Sequence, residues 1–310
     1  MAFKLLIVNY HYFRDEKPSS GIYPVSSAEF ISQLDALSRR YIFCGKEEIV
    51  KWIKTGYFPD GKFCLITFDD GLREQMEAVE ILVRKGIPGI FFVPVGPYLD
   101  HAALPVHKLH FVRSVLPDDE VYSLVEKHST IASYAFDREK LSAQYRYDNE
   151  KARRLKYFMN FVLSPDESDS LTHQLFLQVM DDEKQFATRL YMQEGDLVNL
   201  SRKNMLGSHG TRHKPLATLS SSQAKHDIAE SIKYLEELTQ STIDAFAYPY
   251  GSKAAVPADA SEQFAGTSIE FAFTMFRGLN TEKEMMERFF LKRVDTNDAP
   301  GGKSPLPEFQ

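Results

Sequence analysis

Cysteine is scarce. The two in the chain, Cys44 and Cys64, cannot build a disulfide framework, and both sit among apolar neighbours as small core residues do. Long hydrophobic runs are missing too: no stretch approaches membrane-spanning length, so no integral membrane segment is expected. Leu5-Leu6-Ile7-Val8 is too short for a signal-peptide core and has no cleavage site behind it, so it reads as a strand and the expected location is the cytoplasm. Basic charge is in deficit, with 37 Lys and Arg against 43 Asp and Glu and a net charge of −6. That balance, without any block of basic residues, argues against nucleic acid as the main partner and against a membrane-surface patch. No internal repeat or low-complexity tract is present. What the 310 residues do have is 43% hydrophobic content with 26% charge, the composition of a globular protein able to bury a substantial core, as one α/β domain or as one domain carrying an insertion.

The most informative stretch is Cys64-Leu65-Ile66-Thr67-Phe68-Asp69-Asp70-Gly71. An apolar run of strand length reads as a buried strand, and its two acids are exposed only where it leaves the sheet, the edge at which α/β proteins keep their chemistry. Adjacent carboxylates repel one another and need a cation or a shared proton. Taken alone, the same residues also suit an ordinary strand-to-helix turn with an acidic N-cap. Earlier in the chain, a strand over 3–9 ends in Tyr10-His11-Tyr12-Phe13-Arg14-Asp15, and a capping-box spacing at Ser26 and Glu29 predicts a helix with Phe30, Leu34 and Leu37 on one face. A shorter helix is expected around Ile49, Trp52 and Ile53. After Gly71, Leu72, Met76, Val79 and Val83 recur at helical spacing, and residues 89–95 read as a third strand, giving a β-α-β unit with parallel strands.

From 97 to 202 the pattern changes to helix formers, charged residues and histidine, which predicts a helical insertion serving as a lid or substrate-recognition subdomain. Strand-like runs return at 205–209, 245–248, 271–275 and 289–294, and a second capping box, Ser220 and Gln223, opens a helix lined by Ile228, Ile232, Leu235 and Leu238. The glycines and prolines of 299–310 predict a flexible tail.

Gly207-Ser208-His209-Gly210-Thr211-Arg212-His213 places two imidazoles four residues apart just after a strand. On a helical turn that spacing puts both rings on one side, within reach of one ion, and one carboxylate from Asp69-Asp70 would complete the two-His, one-carboxylate set of catalytic zinc sites. His101, His107 and His110 suit a helix face or lid surface better than a second metal site, and His128, His173 and His226 read as solvated. Tyr10, Tyr12, Tyr248 and Tyr250 suit either core packing or the faces of sugar rings.

Together these residues resemble a known family, the polysaccharide deacetylases of carbohydrate esterase family 4, also called the NodB-homology domain. Thr67-Phe68-Asp69-Asp70-Gly71 matches the family's TFDDG motif letter for letter. His209 and His213 match its H[ST]xxH motif with Gly210 in place of the hydroxyl residue, and Phe246-Ala247-Tyr248-Pro249-Tyr250-Gly251 matches RxPY at its Pro-Tyr end. The resemblance covers about 1–95 and 205–296. It implies a distorted (β/α) barrel of NodB type over 1–96 and 203–298, with 97–202 inserted. It also implies a divalent metal, zinc by preference, on Asp70, His209 and His213, with Asp69 as general base and the Tyr250 backbone N–H on the oxyanion.

Two departures shape the expectation. The motif arginine that orients the base falls on Ala247, and Arg293 at a strand end is the first candidate to replace it, with Arg14 the second. The family's late LxxH has no counterpart, because no histidine follows His226. His11, closing the first strand, is the expected general acid, in a barrel whose last strand has become its first. This resembles the permuted branch typified by the exopolysaccharide poly-N-acetylglucosamine deacetylases. The expected activity is metal-dependent hydrolysis of the N-acyl, preferentially N-acetyl, amide of an amino sugar. The expected substrate is a nucleotide-linked, lipid-linked or oligomeric precursor of a surface polysaccharide. The alternatives are an amidohydrolase acting on a small non-sugar amide and a carbohydrate-binding relative without turnover.

Overall fold

The computed structural model describes residues 2–18, 20–145 and 148–309. Two compact units divide the chain: Met1–Asp15, Pro24–His101 and Thr188–Gln310 form one, and Glu16–Tyr23 with Ala102–Ala187 form the other.

The first unit is built on parallel strands. β1 (Lys4–Tyr10), β2 (Ile42–Phe43), β3 (Lys62–Phe68), β4 (Gly89–Val93), β5 (Leu206–Ser208), β6 (Ala245–Ala247), β7 (Phe271–Phe273) and β8 (Val294–Asp295) make one sheet in the order β7-β6-β5-β4-β3-β1-β8, with β2 also paired to β3. Every pairing is parallel. Leu291, just ahead of β8, forms a parallel bridge with Phe273 of β7. The segment 291–295 therefore reaches both edges, and the sheet curls into the expected distorted (β/α) barrel, with the amino-terminal strand seated between β3 and the last strand.

Side-chain alternation divides the core into two rows. Leu6, Val8, Cys64, Ile66, Phe91 and Val93 pack with residues of helices α1 (Ser27–Ser38) and α3 (Gln75–Lys85), the latter following α2 (Lys46–Thr55), whereas Leu5, Ile7, Phe63, Leu65, Ile90 and Phe92 face the other way with Ala245, Ala247, Phe271 and Phe273. The second row continues beyond its apolar members. Two residues after Ile7 comes Asn9, and after Leu65 come Thr67 and Asp69, so a buried polar layer caps this row at the carboxyl ends of β1 and β3.

Both capping boxes form, at Ser26 with Glu29 and at Ser220 with Gln223. In α3 the buried face is Ala78, Val79, Ile81 and Leu82, while Val83 is 50% exposed and Leu72 precedes the helix, where it bridges Tyr191. The helical spacing taken from Leu72 is therefore out of phase, because the turn after Gly71 occupies those residues ahead of the helix. Within the segment expected to be a flexible tail, Ala299 and Phe309 are buried in the core, and the Tyr41 hydroxyl donates to the Phe309 carbonyl at 2.8 Å. Phe309 anchors a segment whose glycines and prolines alone suggested freedom.

The second unit is helical, with its own core of Leu109, Val112, Val121, Val125, Leu155, Phe158 and Phe176 among others. Its main segment, Ala102–Ala187, lies inside the expected 97–202. The helix Glu194–Arg202 buries Leu197 and Leu200 in the core of the sheet unit, and residues 16–23 join the helical unit. Arg113 is fully buried there and makes a forked pair with Asp118, Nε to Oδ1 at 2.8 Å and Nη2 to Oδ2 at 3.1 Å. His107 is buried on the helix Pro105–Val115, and His173, with its side chain 44% exposed as expected of a solvated residue, lies 3.5 Å from Glu183.

Candidate active site at the carboxyl end of the sheet

Residue 9 of β1 is in register with Thr67 of β3 and Asp295 of β8, so the three strands deliver their last side chains together. Arg293 is fully buried, lies over the rings of Phe92 and Phe273 at 5.8 and 5.9 Å, and turns its guanidinium to Asp69. Nη1 donates to Oδ1 at 2.7 Å and Nη2 to Oδ2 at 2.8 Å, the two-pronged geometry that lysine cannot supply. Asn9 Nδ2 donates to the same Oδ2 at 2.9 Å, and Asn9 Oδ1 accepts from Arg293 Nη1 and from Thr67 Oγ1, each at 2.9 Å. Burial alone would raise the Asp69 pKa. The Arg293 charge, with help from His209 and His11, more than offsets this and holds the carboxyl below its ordinary range. Arg14, the other candidate for this place, pairs with Glu74 at 2.6 Å.

Asp70, His209 and His213 are all buried and each offers a ligand atom within 4.8 Å of the others, the one such group found among the described residues. His209 Nε2 lies 3.6 Å and His213 Nε2 3.2 Å from Asp70 Oδ1. His209 donates from Nδ1 to the Ala247 carbonyl at 2.7 Å, which leaves Nε2 as the lone-pair nitrogen turned toward Asp70. Burial lowers the His209 pKa to about 4, so the ring is neutral at physiological pH. Two imidazoles and one carboxylate are a donor set that fits a divalent cation. Ala247 thus contributes through its main chain at the position where the motif arginine is missing.

The two histidines converge through a loop and not through a helical turn, which corrects the geometry expected for that spacing. His213 has φ 52° and Gly210 φ 73°. Asp227, on the helix Ser221–Thr239, accepts the Thr211 and Arg212 N–H groups at 2.8 Å each, and the carbonyls of Gly210 and Thr211 accept from Val95 and Gly96 at 3.1 and 2.9 Å. This bracing explains the departure at Gly210, where a Cβ would come within 2.5 Å of Asp227 Oδ2. Gly210→Ala is expected to destabilise the protein by about 1–3 kcal/mol and to weaken metal retention. A urea midpoint and metal content equal to those of the parent would contradict this.

His11 follows β1 directly; its Nε2 is 3.9 Å from Asp69 Oδ2, and its side chain is 42% exposed. Tyr250 has φ 61°, and its ring sits edge-on to that of His213 at 5.1 Å. The tight turn at Pro249–Gly251 is tied to the end of β7 by Met275 N–H donating to the Gly251 carbonyl at 2.7 Å. The tyrosines divide: Tyr10 and Tyr248 are fully buried core aromatics, whereas Tyr250 lies beside the histidine pair. Asn9 and Gln75 were not singled out from the sequence. A polar residue prolonging the apolar row Phe3, Leu5, Ile7 was the signal available for Asn9; nothing comparable marked Gln75.

Residues 186–267 match the family model described as "Polysaccharide deacetylase", a segment holding His209, His213 and Tyr250 but not Asp69 or Asp70. The fold is similar to that of the Streptococcus pyogenes deacetylase PplD, solved in complex with acetate, at 14% identity and a TM-score of 0.61 over 100% of both chains. It is similar to IcaB from Ammonifex degensii at 18% identity and a TM-score of 0.55, over 94% of this chain and 91% of that one. It is also similar to the BpsB deacetylase domain from Bordetella bronchiseptica at 12% identity and a TM-score of 0.54, over 94% of this chain and 96% of the other. No curated protein matches the sequence. No helix among the described residues is long and apolar enough to cross a membrane. The segment that carries the histidine pair thus matches the polysaccharide deacetylase model, and the chain shares the fold of these deacetylases.

Proposed function

We propose that the protein is a metal-dependent deacetylase that hydrolyses the N-acetyl amide of an amino sugar. Its substrate would be a nucleotide-linked, lipid-linked or oligomeric precursor of a surface polysaccharide, met in the cytoplasm, where the buried free thiols of Cys44 and Cys64 stay reduced. The observation that carries the reading is the division between two adjacent carboxylates. Asp70 has its Oδ1 beside Nε2 of both His209 and His213, while both oxygens of Asp69 accept from Arg293 and one also from Asn9.

Asp70, His209 and His213 would hold the cation, zinc by preference on this donor set. When bound, such an ion polarises an amide carbonyl and lowers the pKa of water toward neutrality. Asp69, ionised and fixed, takes the proton from the attacking water at its carboxylate. The Tyr250 N–H, on the turn beside His213, donates to the oxyanion. His11, near the Asp69 carboxylate and open to solvent, delivers a proton to the departing amine. Support for an acetyl group comes from the acetate bound by the PplD deacetylase, and support for a sugar from the family's description.

The test is acetate and free-amine release by the zinc-loaded protein across N-acetylated nucleotide sugars, chito-oligosaccharides and simple N-acetyl amides. Release confined to the sugars supports the reading, and release from none of them contradicts it. His11→Ala is expected to lower turnover by about 10²–10⁴-fold while leaving metal content and the urea midpoint unchanged. Turnover equal to the parent's would return His11 to a structural role.

A further inference from the structure

The general acid and the base stand on different loops. His11 belongs to the segment leaving β1, and Asp69 to the one leaving β3. Asp69 is over-determined, with two hydrogen bonds from Arg293, one from Asn9, and its own N–H donating to the Tyr10 carbonyl at 3.0 Å. His11 is half-exposed beyond the end of its strand. What links them is Gln75, at the first turn of α3 and fully buried. Its Nε2 donates to the His11 carbonyl at 2.8 Å and to the Asp69 carbonyl at 2.6 Å. Two carbonyl oxygens at this place are met by the two hydrogens of one amide nitrogen, so the chemistry calls for glutamine. Glutamate would face both carbonyls with a charge, and methionine would fill the space without a donor. The preceding residue does related work on the same loop: Glu74 Oε1 accepts the Phe13 N–H at 2.7 Å while Oε2 pairs with Arg14.

We propose that Gln75 is a positioning residue that sets the spacing of acid and base, by tying the His11 backbone to the Asp69 backbone through a single side-chain amide. This rests on the roles proposed above for His11 and Asp69. Misplacement of a catalytic group by about 1 Å costs on the order of 10²-fold, so loss of the tie should be read in turnover and not in substrate binding.

The experiment uses Gln75→Met and Gln75→Glu, each alone and in the His11→Ala background, together with NMR of the His11 imidazole in the metal-free full-length protein. In the parent background both variants are expected to lower kcat by about 10- to 100-fold with KM unchanged. In the His11→Ala background the further loss is expected to be less than about threefold, because the acid that Gln75 positions is already gone. In the metal-free protein the His11 ring resonances should shift or broaden in both variants. Equal losses in the two backgrounds, or His11 resonances identical to the parent's, would overturn the proposal. If His11→Ala alone leaves turnover intact, the assigned acid role fails and the proposal falls with it, whereas shifted His11 resonances in that case would still assign the tie itself to Gln75. Should Gln75→Glu fail to fold, Gln75→Met decides every arm.

Discussion

Asp69→Asn is expected to reduce amide hydrolysis by about 10³-fold or more while the protein keeps its full complement of metal. The amide has the shape of the carboxylate but cannot accept a proton at neutral pH, so the loss isolates the base function from packing. Folding should also respond. The parent Asp69 pKa is depressed in the folded state, so the stability it contributes is fully present above the ordinary carboxyl value and is lost as pH falls through the folded one. The substituted amide does not titrate and removes that dependence, and the difference in urea midpoint between the two proteins should therefore narrow on acidification. A variant that loses metal along with turnover would show instead that Asp69 is a ligand.

Arg293→Met should be the most damaging change to the fold. The side chain is fully buried, and its removal strands the Asp69 charge at 2% exposure together with acceptors on Asn9 and Thr274. Breaking a buried pair from one side costs about 3–5 kcal/mol, which a urea titration would read directly. The Asp69 pKa, no longer opposed by the guanidinium, should rise as burial dictates, moving the acidic limb of the pH–rate profile upward. Arg293→Lys keeps the charge but offers one point contact where the fork makes two, so it should recover part of the stability and less of the turnover. A methionine variant as stable as the parent would mean that the pair does not hold the site together.

Some of this was legible in the sequence because strand periodicity and motif order are local. The TFDDG strand, the histidine pair and the parallel β-α-β unit needed no knowledge of distant contacts. Arg293 could be named as a candidate from its place at a strand end, and the structure puts it on Asp69. Contacts between loops were not legible. Gln75 resembles any other polar residue near a helix start until the two carbonyls it spans are brought together. The loop route between His209 and His213 depends on Asp227, which lies on a later helix, so helical spacing was the wrong guide. The division of the chain also escaped composition, since Leu197 and Leu200 of a helix-rich segment serve the sheet's core. Phe309 was hidden in the same way, a single buried ring outweighing the glycines and prolines around it.

The most direct test of the central claim is to strip the protein with a chelator, titrate zinc back, and follow bound metal and acetate release from N-acetylated sugars on the same samples. Release should vanish on stripping and return in proportion to zinc up to one ion per chain, with Asp70→Ala and His213→Ala neither binding nor releasing. Acetate release undiminished in the stripped protein, or one ion bound tightly by the Asp70→Ala variant, would contradict the assignment of these residues to a catalytic metal site.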